Sequence, residues 1–422
     1  MKRALILAGL AAASAAAFGQ TVVPDNPSGA VTAALSLLKD RGLEPAAGDL
    51  SSALLEAVVK AADAGGRLLS AAGRKEMELQ NQGLFRGVGV DLAVTNGQTS
   101  IAAVADGSPA AQAGVKPGDV LSRVQHDFVT GQPLERQLEK IRGGTNDVLE
   151  LTVMRPGEKT PRNFNLPVRY LRRPAVRRTE ELTRKLALMD LNGVWPGVAD
   201  AIGKQWREWE KEGRTGIILD LRKAEGGDRK EAAAVAALLA KPGALLFAFT
   251  DRRGGAREEF KAPADAGSVH LPIMVLIGPE TTGAAEVLAA ALKSGGRGAL
   301  LLGGTTHGDA MVREPLPLSD GRSLYAATRR LLVSPAADAA PVEIVAPQIP
   351  VAEGRAPAAD PKSEMDTADF NPRRKSLELE KEDRILRARV RNDAVLQRAV
   401  DILMGLQALK SDGREPAAAP AN

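Results

Sequence analysis

The chain has no cysteine among its 422 residues, which excludes disulfides, thiolate catalysis and cysteine-bound zinc together. Aromatic residues are nearly as scarce, with two Tyr, three Trp and eight Phe making 3% of the sequence. So little ring surface argues against a nucleic-acid platform, which needs stacking rings within a basic patch. Cores must instead be built from Leu, Val, Ile and Ala. Histidine occurs three times, at His126, His270 and His307, without the spacing of a metal site. An excess of one charge is also missing: 56 Lys+Arg against 52 Asp+Glu leave +4, and the two signs are interspersed. No phosphate-binding loop or paired-carboxylate motif is present, so no cofactor and no metal is expected.

Long apolar runs are absent but for one. Met1-Lys2-Arg3 followed by ALILAGLAAASAAAFG has the basic start, apolar stretch and small residues of a secretory signal peptide, read here as 1–19 with cleavage after Gly19 or Ala17. The apolar stretch is shorter than the ~20 residues of a spanning helix. These features predict an exported protein, periplasmic or of the cell envelope, with no transmembrane span and no nucleic-acid partner.

What is present is globular: 44% apolar and 26% charged residues, enough chain for two or three domains. Residues 25–80 are read as an N-terminal helical segment. Val31, Ala34, Leu35 and Leu38 form one helical face, and Leu54, Leu55, Val58, Val59 and Ala62 another. Asp40-Arg41-Gly42 closes the first helix, and Asp49 or Ser51 is the expected cap of the second. From 83 to 168 the pattern changes to short β-like runs, Gly87–Val90, Ser100–Val104, Asp119–Val124 and Val148–Met154, with a helix at Leu134–Ile141. The basic run Arg172–Arg178 reads as an exposed linker. From about 180 to 351 helices alternate with wholly apolar strands, at Leu186–Leu191, Thr215–Leu221, Ala244–Thr250, Ile273–Ile277 and Ala299–Leu302. Such alternation predicts a largely parallel sheet covered by helices. A charged linker follows at 352–392. A helix at 393–410, with Asp393 as its cap, ends the ordered pattern.

Residues 271–308 carry the most information. The apolar run Ile273–Ile277, the break at Gly278-Pro279 and the helical spacing from Glu286 to Leu292 lay out a strand-to-helix elbow, the place where an enzyme presents a nucleophile. No serine lies between Ser268 and Ser294, and no lysine between Lys293 and Lys362.

The string Ser108-Pro109-Ala110-Ala111-Gln112-Ala113-Gly114-Val115-Lys116-Pro117-Gly118-Asp119-Val120-Leu121 resembles the PDZ domains of bacterial periplasmic proteases. The resemblance makes Phe85, Arg86, Gly87, Val88, Gly89 and Val90 the loop and strand that receive a peptide's C-terminal carboxylate. Convergent N–H groups and an open strand edge suit that task, although two glycines also serve a plain tight turn.

Three further strings, Ile217–Gly227, 273–292 and Arg297–Gly308, resemble the carboxyl-terminal processing, or tail-specific, serine peptidases. The implied fold class is α/β: a PDZ domain placed before a ClpP/crotonase-like α/β domain, with N- and C-terminal helices. In that family an elbow serine attacks the peptide carbonyl, a lysine takes its proton, and a supporting glutamine follows. The resemblance places these at Gly283, Asp309 and near Arg313, so both reactive groups are replaced. Gly226, Gly227 and Ala284 fall where backbone N–H groups stabilise the oxyanion, with Glu225 in place of a proline. A serine hydroxyl is a poor nucleophile without its base. The resemblance therefore implies a pseudopeptidase that binds C-terminal peptides or unfolded tails, as adaptor or regulator of an active relative, with a second copy of the chain (a homo-oligomer) among its candidate partners. The alternatives are an active peptidase using Thr282 with His307 and Asp309, although Thr281 and Thr282 also suit a helix cap, and a structural envelope protein.

Overall fold

The computed structural model describes residues 26–43, 47–95, 97–141, 147–295, 299–334, 336, 339–352, 354, 386 and 390–411. The expected signal peptide, most of the 352–392 linker and the C-terminal tail lie outside them. Among the described residues no helix is long and apolar enough to cross a membrane.

The described residues up to Leu68, together with Leu324–Ala326, form one compact unit. Helix α1 (Pro27–Asp40) starts where the Asn26 side chain accepts the Gly29 N–H at 2.6 Å and Pro27 occupies the first turn. Helix α2 (Ala47–Ala62) begins before Asp49 and Ser51, so neither residue is its cap, in contrast to the sequence reading. Val31 and Leu38 of α1 are 36% and 40% exposed, so the stripe read as a core face is largely solvated. A short strand β1 (Arg67–Leu69) and helix α3 (Ala71–Asn81) follow.

The block from Leu84 to Arg172, expected to be a PDZ domain, is built of short antiparallel strands. Strand β2 (Leu84–Gly87) pairs away from the main sheet with β9 (Arg169–Arg172). The main sheet runs in the order β3 (Val90–Thr95), β4 (Gln98–Val104), β5 (Val120–Val124), β7 (Val148–Met154), β8 (Arg162–Pro167), and β6 (Asp127–Phe128) hangs on β5. Period-two alternation sets its inner face: Leu149, Leu151 and Val153 of β7 are buried, with exposed or half-buried residues between them. Helix α4 (Pro109–Gln112) starts where the Ser108 hydroxyl accepts the Ala111 N–H. Helix α5 (Leu134–Ile141) lies on β5. Buried Asp119 accepts the Lys116 N–H and two bonds from Arg155, at 2.7 and 2.8 Å. The run Gly87–Val90, expected to be extended, is instead the connection from β2 to β3.

The α/β domain has a sheet in the order β10 (Val176–Glu181), β11 (Leu186–Leu191), β13 (Gly216–Asp220), β17 (Ile273–Ile277), β18 (Ala299–Gly303), β21 (Ile349–Pro350). It is parallel from β11 onward, and β10 runs antiparallel to β11. Every residue of β11, β13 and β17 is buried because both faces are covered. Helices α6 (Val198–Lys211), α7 (Arg229–Ala237) and α8 (Ala284–Gly295) share one core with the sheet. Helix α9 (Ala394–Ser411) closes the other face, packing Val395, Ala399, Val400 and Leu403 on Leu186, Leu188, Ile218, Met274, Leu276 and Leu302. Asp393 caps α9 as the sequence suggests, accepting the Leu396 N–H at 3.0 Å.

Two assignments differ. Arg172–Arg178 is not a linker: it spans the end of β9 and the start of β10, an edge strand whose charged side chains face solvent. The run near Ala244–Thr250 forms β15 (Leu245–Asp251), which leaves the parallel sheet for an antiparallel one with β16 (Arg257–Lys261) and β20 (Ser323–Leu332), to which β19 (Val312–Pro317) is added. The short pair β12 (Gly193–Val194) and β14 (Glu225–Gly227) completes the fold.

Ile218, fully buried at the centre of β13, faces the α9 side. Truncation of Ile218→Ala is expected to lower unfolding stability by about 2–5 kcal/mol, read by chemical denaturation.

Candidate functional site

The elbow follows β17 directly. Thr281 is fully buried; its hydroxyl donates to the Leu221 carbonyl at 2.8 Å and accepts the Gly278 N–H at 3.1 Å. The Thr282 N–H donates to the Ala224 carbonyl at 3.1 Å. These bonds tie the elbow to the turn that follows β13. They also correct the expectation that Thr281 and Thr282 cap the next helix: α8 begins at Ala284, and Gly283 stands before it.

Gly283 has φ +59°, and a Cβ built there would lie 2.8 Å from the Gly226 Cα. Left-handed backbone and a close approach both favour glycine at this point. The fold thus sets Gly283, followed by Ala284, against Gly226 of the Gly226-Gly227 turn. Gly227 is held against Val194 by the β12–β14 pairing, while Asp228 donates its N–H to the Val194 carbonyl at 2.6 Å and caps α7. Glu225 does not crowd this turn with charge, because its exposed carboxylate lies 3.6 Å from Arg173.

Glu286 is the residue that sequence reasoning undervalued. It is fully buried in the first turn of α8. Its Oε2 accepts the Gly283 N–H at 3.1 Å and the Asp309 N–H at 2.6 Å, and its Oε1 accepts the Gly308 N–H at 2.7 Å. Burial pushes its carboxyl pKa above the ordinary value, opposed by the Thr306 hydroxyl, the Gly308 and Gly283 amides and the charge of His307. A glutamate reaching back three residues to the residue before the helix is half of a capping box, the one sequence signal that could have pointed to it.

Asp309, at the expected base position, is ion-paired to Arg313. The two positions assigned to lysine and its supporting glutamine therefore answer each other. His307 is exposed, and its backbone N–H donates to the Thr281 carbonyl at 3.1 Å. Among the described residues no hydrogen bond joins Thr282 to His307. A catalytic pair of that kind is not assembled, although both residues flank the elbow. His270 lies 3.4 Å from Glu210, and His126 is exposed in the turn between β5 and β6.

At the loop expected to receive a carboxylate, Phe85 sets its ring edge-on to Trp195, with centroids 5.5 Å apart, and Arg173 lies over the Phe85 ring. Arg86 is 3.3 Å from Asp147. Val88 is buried in the module core, and its carbonyl accepts the Ala110 N–H at 3.0 Å. The Gly89 carbonyl accepts the Ala105 N–H at 2.9 Å, and Val90 opens β3, the edge strand of the sheet. Phe85, Arg86 and Val88 are thus engaged within the protein. Backbone is what this loop presents outward.

Residues 185–351, which include Gly283 and Asp309, match the sequence profile of Peptidase family S41. A carboxyl-terminal-processing protease of Synechocystis is 26% identical over 263 residues, covering 61% of this chain and 61% of the relative. The carboxy-terminal processing protease CtpB of Bacillus subtilis is 24% identical over 242 residues, covering 57% of this chain and 50% of the relative. The chain therefore spans half to three-fifths of the length of these curated relatives. The crystal structure of a putative S41 protease from Bacteroides fragilis covers 92% of this chain and 93% of its own, with 18% identity and a TM-score of 0.50, a likeness of fold.

Glu286→Gln removes the charge and turns one acceptor oxygen into a donor facing buried N–H groups. A loss of about 1–3 kcal/mol in unfolding stability is expected. The substitution should also change the pH profile. With its folded pKa raised, the native state of the wild type holds the extra proton in the window between the unfolded and folded pKa values. Glu286 therefore makes stability fall as pH rises through that window above about 4.5 and adds no slope beyond it. Denaturation midpoints measured across acidic pH should show this slope in the wild type and not in the variant.

Proposed function

Because residues 185–351 match the profile of Peptidase family S41, we propose that the chain is a non-catalytic member of that family that holds peptides by their C-terminal ends instead of cutting them. The observation that carries this reading is the elbow itself. The position aligned with the nucleophile is Gly283, which has no proton to give and is pressed against Gly226. The position aligned with the base is an anion bound to Arg313. Loss of nucleophile and base removes on the order of 10⁶ in kcat from serine peptidases, leaving only the effects of binding.

What supports binding is the PDZ module. Strand β3 is an edge of its sheet, open to pairing with an extended peptide. The loop before it commits the Val88 and Gly89 carbonyls inward. Among the described residues no partner engages the amides of Val88 and Gly89, which suits them to a terminal carboxylate. The partner class is thus a peptide or unfolded tail with a free carboxylate, and the role is adaptor or regulator of an active relative. The Met1–Gly19 pattern supports a place beyond the inner membrane, in the periplasm or envelope.

The full chain, titrated with a library of peptides ending in a free carboxylate, is expected to bind a subset saturably and release no new amino termini. The matching C-terminal amides should bind at least about tenfold more weakly. Hydrolysis that Thr282→Val abolishes would establish the rearranged peptidase instead, and an absence of binding would leave only a structural role. Gly283→Ser should cost about 1–3 kcal/mol of stability in denaturant titration, since a side chain is forced onto left-handed backbone.

A further inference from the structure

A cavity of about 630 Å³ opens at the carboxyl ends of β11 and β13, where Asp190 and Asp220 end neighbouring runs. It also takes in Glu280 from the elbow turn, Lys223 from the turn before the glycine pair, and Asp393 at the start of α9. Crevices at this end of parallel strands are the customary ligand sites of open α/β sheets. The volume lies within the ~300–1,000 Å³ of small-molecule pockets.

The lining holds four cations, Arg177, Arg178, Arg222 and Lys223, and four carboxylates. Part of that charge is matched internally. The Arg222 guanidinium reaches Asp220 at 2.7 Å and Asp393 at 2.8 Å, and it uses both faces of its fork. Asp190 is served less well. It is only 7% exposed, yet its nearest cationic nitrogens, on Arg178 and Arg177, stand at 3.4 and 3.8 Å. A charge-assisted bond is about 2.7–2.9 Å long. Burial and the neighbouring Asp220 charge hold the Asp190 carboxyl above its ordinary range in spite of the two arginines. Lys223 and Glu280 are exposed at the cavity, and neither has an ion-pair partner among the described residues.

The geometry points to this cavity as a binding site for a small zwitterion of the amino-acid or short-peptide class, its ammonium received by Asp190 and Glu280 and its carboxylate by Arg177, Arg178 and Lys223. A lone anion would face four carboxylates, and a lone cation four cations. A ligand carrying both signs meets the under-served members of each set. The site shares no residue with the PDZ loop or with Gly283, so it stands whether or not the peptide-holding reading does.

The test uses the full chain and diglycine as probe, followed by calorimetric titration. Saturable binding is expected, weakened at least about tenfold both in N-acetyldiglycine, which lacks the ammonium, and in diglycinamide, which lacks the carboxylate. Lys223→Gln and Glu280→Gln change exposed side chains; each should weaken diglycine by a similar factor while leaving the denaturation midpoint and the binding of longer C-terminal peptides unchanged. The proposal is overturned by an absence of saturable binding, by equal affinity for the three probes, or by variants that bind as the wild type does. Displacement of diglycine by a longer peptide with a free C-terminal carboxylate, and not by its C-terminal amide, would place the ligand in the PDZ loop and overturn it equally.

Discussion

One buried carboxylate organises the centre of this protein. Glu286 faces three backbone N–H groups from two segments that are distant in sequence, the elbow and the loop after β18. A carboxylate taken out of water is tolerated only when its lone pairs are filled, and the amides and the Thr306 hydroxyl fill them. The loop that carries Asp309 is thereby fixed to the elbow that carries Gly283 without any covalent or catalytic link between their side chains. The frame around the elbow is thus set by backbone amides and one buried carboxylate, not by the side chains at positions 283 and 309.

The same separation holds outward from the site. Thr281 and Thr282 bond the elbow to Leu221 and Ala224, and Arg222, between those two residues, clamps Asp220 and the cap of α9. The short segment 220–224 therefore joins the sheet, the elbow and the C-terminal helix. None of these contacts needs a nucleophile. Further along, Phe85 and Arg173 rest on Trp195 and Glu225, so the end of β2 is braced against the strands that frame the glycine turn.

Much of the fold was legible because local signals and burial agree. The alternation in β7, the apolar runs of β11, β13 and β17, and the Asp393 cap each state one structure in their own composition. The antiparallel strands β16, β19 and β20 were not legible: their charged residues pair across neighbouring strands and with solvent, so they lack the apolar run of a strand covered on both faces. Arg172–Arg178 failed for the same reason, since an edge strand with outward charges looks like a linker. At the site, residue types at Gly283 and Asp309 could be read by register, but the partners of Glu286 and Asp309 could not. Hydrogen bonds between segments more than twenty residues apart leave no periodic trace, and the pairing of Asp309 with Arg313 looks like any surface pair until the loop is placed.

Helix α9 comes after every strand it covers. During synthesis the face made by Leu188, Ile218, Met274 and Leu302 must emerge first and remain open to water until α9 leaves the ribosome. A chain cut before α9 would present that apolar sheet face to any neighbour.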